Sequence, residues 1–133
     1  MSWSMFRFCG HWAHAHDVQQ ETFMALAAMY VEANADYRTV PWLREWQAFW
    51  LGAIGRQANG LSDLGADEHL TDDDRVARFR AFLRDYRSWL VASEGPLVTA
   101  AGLSADKLVE FTRTVDAVLA GDATHPDVHR DVA

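Results

Sequence analysis

The sequence has few of the residues that build several common kinds of protein site. Its 133 residues include one cysteine, Cys9, which excludes an intramolecular disulfide and a multi-cysteine zinc site. The longest apolar run is the nine residues from Phe23 to Val31, far short of the roughly 20 that a membrane helix needs. Residues 1–10 lack the apolar core of a secretory signal. These absences predict a cytoplasmic protein with no membrane partner.

Basic residues are also scarce. Twelve Lys and Arg stand against nineteen Asp and Glu, which gives a formal net charge of −7. Nucleic-acid binding through phosphates needs a basic surface, so we expect no nucleic-acid partner. An acidic surface instead favours a basic protein partner, which it attracts by long-range electrostatic steering.

Catalytic motifs are missing as well. The sequence contains no HExxH, no GxSxG elbow, no Gly-rich phosphate loop and no nucleotide fingerprint. Cys9 and His11 are too close in sequence to form the nucleophile and base of a catalytic site, which usually come from distant segments. We therefore predict a protein that is not an enzyme and has no catalytic residues, no metal and no cofactor.

Histidines provide the one alternative to that prediction. His11, His14 and His16 are crowded near Cys9, and a second pair, His125 and His129, lies near the end of the sequence. Converging histidines could bind a metal, which would make the protein a metalloenzyme. An exposed histidine-rich turn is the simpler interpretation, because no acidic residue has a defined position among these histidines.

The composition and the hydrophobic periodicity predict an all-α fold. Half of the residues are apolar, which is enough for one core in one domain. Apolar residues recur at helical spacing and nowhere alternate in the sustained way of a strand. We predict an irregular bundle of four main helices with short helical turns, in a single domain over residues 1–121. Residues 1–10 would be an aromatic arm, and residues 122–133 a mobile polar tail.

The four helices have recognisable starts and stops. The first begins at about His11 or Val18, ends near Asn34 and lies at the centre, because it is apolar on most sides. The second starts near Thr39 and ends at Asn59–Gly60. The third follows a capping pattern from Thr71 to Asp74 and stops at 93–96, and the fourth runs from the cap Ser104 to Gly121.

Tryptophan is abundant, with six in the chain. Trp42, Trp46 and Trp50 recur every four residues and so share one helix face, which is typical of a core. The alternative is a Trp-lined pocket for a small apolar ligand, in a ligand-binding or regulatory domain. Trp89 lies at the edge of the apolar stripe of its helix and is expected to be half exposed and available to a partner.

An acidic segment between residues 63 and 74 contains six carboxylates and no Lys or Arg. Capping of the third helix explains the three carboxylates at positions 72–74. It does not explain the three at positions 63, 67 and 68. Either the segment pairs with the arginine ridge from Arg75 to Arg87 or it binds a basic partner. We predict a partner-binding surface formed by the segment together with Trp89, with these acidic members: Asp63, Asp67, Glu68, Asp72, Asp73 and Asp74.

Residues 60–90, GLSDLGADEHLTDDDRVARFRAFLRDYRSWL, resemble a pattern of bacterial immunity proteins. In that pattern an acidic, leucine-punctuated loop leads into a capped helix. Immunity proteins are small cytoplasmic proteins that neutralise toxins used in competition between bacteria. The resemblance implies an inhibitor that covers a toxin's active site or another essential surface, often with acidic residues that face a basic cleft. It implies no catalytic residues.

Overall fold

The computed structural model describes residues 3–53, 64–92 and 105–130, and these are mostly helical. They also form a three-stranded sheet. The fold therefore differs from the purely all-α fold that the sequence predicted. The four main helices are present in this part of the chain, with two helices of four residues between them. The elements in chain order are β1 (Trp3–Phe8), β2 (His11–His16), α1 (Asp17–Ala33), α2 (Ala35–Arg38), α3 (Pro41–Ala53), α4 (Ala66–His69), α5 (Asp73–Ala92), α6 (Ala105–Ala120) and β3 (His129–Arg130).

The predicted aromatic arm is the first strand of a β-hairpin. β1 and β2 are antiparallel, with Phe8 opposite His11, so Cys9 and Gly10 alone form the turn. Both turn residues have positive φ, 48° and 81°, as two-residue hairpin turns require. The earlier of the two predicted starts of the first helix, His11, was wrong, because residues 11–16 form β2 and α1 begins at Asp17. The inner face of β2 consists of Ala13 and Ala15, whose small side chains give the sequence little hydrophobic contrast.

The segment predicted as a mobile tail adds the third strand. β3 is antiparallel to β2, with His129 opposite Trp12. The Trp12 and His129 rings stack with centroids 4.5 Å apart, and Val128 is buried. Residues 128–130 therefore join the fold, through a pairing that spans more than 100 residues of sequence and leaves no local signal.

Helix α1 lies at the centre of the fold, as predicted. It packs against α3, α5, α6 and the hairpin. The ring of Phe23 meets Trp50, Tyr86 and Phe111, one aromatic ring from each of three other helices, edge-on at centroid distances of 6.3, 5.5 and 5.5 Å. Edge-to-face pairs add to the stability gained from burial, so these contacts hold the three surrounding helices against α1.

The helix boundaries agree with the sequence where they are described. α5 begins after Asp72, whose Oδ1 accepts a hydrogen bond from the Arg75 backbone N–H at 2.8 Å. The cap is therefore Asp72 rather than the predicted Thr71, one residue away. The predicted stops at 59–60 and 93–96 and the cap Ser104 lie outside the described residues. No helix in the described ranges has the length and apolar character needed to cross a membrane.

All three tyrosines of the chain have a raised pKa. Burial is the main cause for each, and for Tyr37 the hydroxyl also donates a hydrogen bond to the Asp85 carboxylate. The buried Tyr86 hydroxyl donates to the Phe23 carbonyl at 3.1 Å. A raised pKa in the folded state stabilises the fold below the unfolded value of about 10, and that contribution is lost as the pH rises through the folded values.

We therefore expect the native protein to show less tyrosinate at pH about 10 than the unfolded chain, in which tyrosine is half ionised at that pH. The near-ultraviolet absorbance of tyrosinate, followed during an alkaline titration, measures this. Tyrosinate should appear together with loss of the near-ultraviolet circular dichroism, and guanidinium-unfolded protein should titrate normally as the control. A tyrosinate midpoint near 10 with native circular dichroism would contradict the burial of these hydroxyls.

Candidate interaction surface

The predicted acidic segment surrounds the hairpin turn and the start of α5. Asp67 and Glu68 are in the first turn of α4, and Asp73 and Asp74 are in the first turn of α5. All of these side chains are exposed, as is that of Asp72. Asp63 lies outside the described residues. We refer to Asp67, Glu68, Asp72, Asp73 and Asp74 as the acidic end.

Asp67 connects the acidic end to the β-hairpin. Its Oδ1 accepts a hydrogen bond from the backbone N–H of Cys9 at 3.0 Å, which supports the turn residue with positive φ. Partial burial raises the pKa of the Cys9 thiol, and the charges of Asp67 and Asp73 raise it further. A nucleophilic cysteine needs a lowered pKa, so this environment suppresses the thiolate rather than activating it.

Among the acidic residues that the structure describes, only Asp72 forms an ion pair with the arginine ridge. Asp72 accepts from Arg75, with its second oxygen 3.8 Å from the guanidinium Nε. Arg80 instead pairs with Asp116 on α6 at 2.7 Å, and Arg78 donates to the Asp36 carbonyl. Within the described residues Glu68, Asp73 and Asp74 form no ion pair. Pairing with the ridge therefore does not account for the segment.

A groove of about 600 Å³ borders the acidic end. Val40, Pro41 and Trp42 form its apolar part, and Asp72, Asp74, Arg75 and Arg78 form its charged part. The Arg75 guanidinium is 5.5 Å from the centre of the half-buried Trp42 ring, a cation–π contact that holds the indole in place. An indole held beside exposed carboxylates has the character of a binding hot spot.

Trp89 is half buried, as predicted, but it is not next to the acidic residues. Its ring packs on Tyr30 and Tyr86 at centroid distances of 5.3 and 6.0 Å. It is 16 residues beyond Asp73 on the same helix, which places it about 24 Å away along the axis at 1.5 Å per residue. The tryptophan that does lie beside the acids is Trp42. Its regular spacing with Trp46 and Trp50 made it look like a core residue in the sequence.

Trp46 and Trp50 are core residues. Both are fully buried, and the Trp46 Nε1–H donates to the Leu64 carbonyl at 2.7 Å. The Trp46 ring also lies 4.5 Å from Phe79 and 5.0 Å from Trp50. These contacts fill the space between α3 and α5, so they support the core interpretation over a Trp-lined ligand pocket.

Of the three histidines in the metal alternative, the structure describes the side chains of His11 and His14, and these two do not converge. In the register of the hairpin, His11 is on the same face as Phe8, and His14 is on the opposite face. His14 and His129 have ring centroids 5.9 Å apart beside a cleft of about 400 Å³ that also contains Glu110 and Asp127. No group of three or more His, Cys, Asp or Glu in the described ranges is arranged to hold a metal ion.

Comparison of the chain with protein-family models, with curated proteins and with solved structures finds no match.

Proposed function

We propose that this protein is a non-enzymatic binding module that holds a basic protein partner against its acidic end and the adjacent Trp42 groove. The observation that carries the proposal is the position of Trp42 beside Asp72 and Asp74. Protein interfaces combine a desolvated aromatic anchor with charged residues around it, and both parts are present here.

The charges supply the steering part of the proposal. Glu68, Asp73 and Asp74 are exposed without an ion pair among the described residues, in a chain whose net charge is already −7. Like charges at one end of a molecule repel one another, and a basic partner relieves that repulsion. Such charges mainly increase the association rate and make it depend on ionic strength.

The aromatic groove supplies the affinity. Trp42 is partly buried against the core and Arg75 lies over its ring, so it loses little conformational freedom when a partner covers it. Phe49, 38% exposed, contacts His69 of α4 with ring centroids 5.6 Å apart and extends the apolar surface beside Glu68. The resulting surface combines these apolar residues with the carboxylates of the acidic end, and Arg75 and Arg78 also line the groove.

The specific form of the proposal is an immunity protein that neutralises a bacterial toxin in the cytoplasm. It is supported by the resemblance of residues 60–90 to that class, together with the acidic end that these residues form. A toxin that acts on nucleic acid would present a basic cleft, since phosphates must be bound there. An acidic surface with a rigid indole at its side could cover such a cleft without any chemistry of its own.

We would test the proposal with native mass spectrometry of the protein isolated gently from its source organism. The expected result is a stoichiometric complex with a basic protein. Asp73→Lys/Asp74→Lys and Trp42→Ala should each weaken that complex at least tenfold, about 1.4 kcal/mol, in calorimetric titrations with the purified partner. The effect of the charge reversal should shrink as salt is raised, and that of Trp42→Ala should not.

Asp106→Lys/Glu110→Lys is the matched control, because it reverses the same number of exposed carboxylates, both on α6. Asp106 is exposed in the first turn of α6, so its reversal has the same unfavourable interaction with a helix dipole as the reversals in α5. The control should bind within twofold of the unaltered protein. A bare mass in the spectrum, or binding unchanged by the double reversal at every salt concentration, would contradict the proposed function.

A further inference from the structure

A second charged feature lies toward the C-terminal end of α5, away from the acidic end at its N-terminus. Arg84 and Arg87 of α5 and Arg113 of α6 line a groove of about 500 Å³ between the two helices. Val91 and Val109 form its apolar part. We refer to this feature as the arginine groove. It is notable in a chain in which acids outnumber bases by nineteen to twelve.

The three guanidinium groups have no carboxylate partner in the described part of the chain. The carboxylate whose charge raises the pKa of Arg87 is that of Asp116. Its two oxygens already accept hydrogen bonds from Arg80 at 2.7 and 3.4 Å. The Nη1 of Arg87 is buried and makes no hydrogen bond. A buried donor without an acceptor costs about 1–3 kcal/mol, so this arrangement is incomplete as it stands.

Repulsion adds to that cost. Burial lowers the pKa of Arg87, and the charges of Arg113 and Arg84 lower it further. If these arginines served only to cover apolar surface with their stems, their charged groups would extend into water. The Nη1 of Arg87 is buried and does not extend into water. The charges of Arg84 and Arg113 lie close enough to lower the pKa of Arg87.

We propose that the arginine groove binds the oxyanion group, a carboxylate or a phosphate, of a small molecule. Guanidinium groups recognise both through paired N–H donors, and Arg84 and Arg113, which are both exposed, present such donors from the two helices that form the groove. Val91, 59% exposed, and Val109 would contact a short apolar part of the same molecule. The volume is within the range of small-molecule sites. The site is separate from the acidic end, so it does not depend on the function proposed above.

The test is a titration of the full chain with butyl phosphate, butyrate and inorganic phosphate at constant ionic strength. Changes in the arginine Nε–Hε resonances report where each anion binds. We expect saturable binding of at least one butyl anion with a Kd of about 1 mM, a value reasonable for so small a ligand. Butyl phosphate should bind more tightly than inorganic phosphate, because only the former reaches Val91 and Val109. Butyrate and butyl phosphate distinguish the two oxyanions, and binding of either supports the proposal.

Arg84→Gln/Arg113→Gln removes two of the three charges and leaves the half-buried Arg87 in place. The affinity should fall at least tenfold, while the thermal midpoint without ligand should not decrease, because repulsion is relieved. Arg38→Gln/Arg44→Gln is the matched control, since it removes the same charge from exposed residues of α2 and α3. It should bind within twofold of the unaltered protein. Absence of saturable binding by all three anions, or equal losses in the two double variants, would overturn the proposal.

Discussion

Truncation of Trp46 to alanine is expected to lower the free energy of unfolding by about 3–5 kcal/mol. The side chain is fully buried between α3 and α5 and packs on Phe79 and Trp50. Its loss removes a large apolar surface and leaves a cavity that the surrounding helices cannot close completely. Small domains have a total stability of about 5–15 kcal/mol, so the variant would be near the limit of folding.

Phenylalanine substitutions separate the hydrogen bond from the packing. Trp46 donates to Leu64, whereas the buried Nε1 of Trp50 has no hydrogen-bond acceptor. Trp46→Phe leaves a carbonyl without its donor, and Trp50→Phe removes an unsatisfied polar group. We expect Trp46→Phe to cost about 1–2 kcal/mol more than Trp50→Phe, measured by urea unfolding with equal m-values. Equal costs, or a larger cost at Trp50, would contradict the assigned hydrogen bond.

Replacement of Val128 by aspartate is expected to lower the free energy of unfolding by about 2–4 kcal/mol. Val128 is 8% exposed and immediately precedes β3. A carboxylate there must be desolvated or must pull the segment away from β2. The stacking of Trp12 on His129 would then be lost, which a change in the chemical shifts of the His129 ring would report.

Leu51→Asp is the matched control for that substitution. Leu51 is 55% exposed on α3, so the same introduction of a carboxylate should change stability by less than about 0.5 kcal/mol. If residues 128–130 were a mobile tail, Val128→Asp and Leu51→Asp would change the free energy of unfolding by the same small amount. Equal stabilities would therefore mean that residues 128–130 contribute nothing to the folded state.

The acidic end and the arginine groove lie toward opposite ends of α5. Asp73 and Asp74 are in its first turn, where the helix dipole favours negative charge. Arg84 and Arg87 lie before its last turn, which contains no basic residue, so the helix dipole does not account for their position. It does not explain the exposed acids beside Trp42 or the buried guanidinium nitrogen of Arg87, which are the observations that suggest binding.

The main helices and most of the core could be predicted from the amino-acid sequence. In α5 the predicted apolar stripe is buried from Phe79 to Leu90, because a helix with period 3.6 presents its regularly spaced apolar residues to one side. The central position of α1 followed in the same way, since a helix that is apolar on most sides needs several neighbours. These features depend on residues within a few positions of one another.

The sheet and the composition of the two candidate sites depend on contacts between distant segments, which the sequence did not predict. The pairing of His129 with Trp12, the capture of Asp116 by Arg80 and the position of Trp42 beside Asp74 all join distant segments. A local pattern identifies a residue's helix face, but it does not contain the neighbour that covers that face. The packing of the elements therefore decides which tryptophan is exposed and which charges in the described residues have no partner.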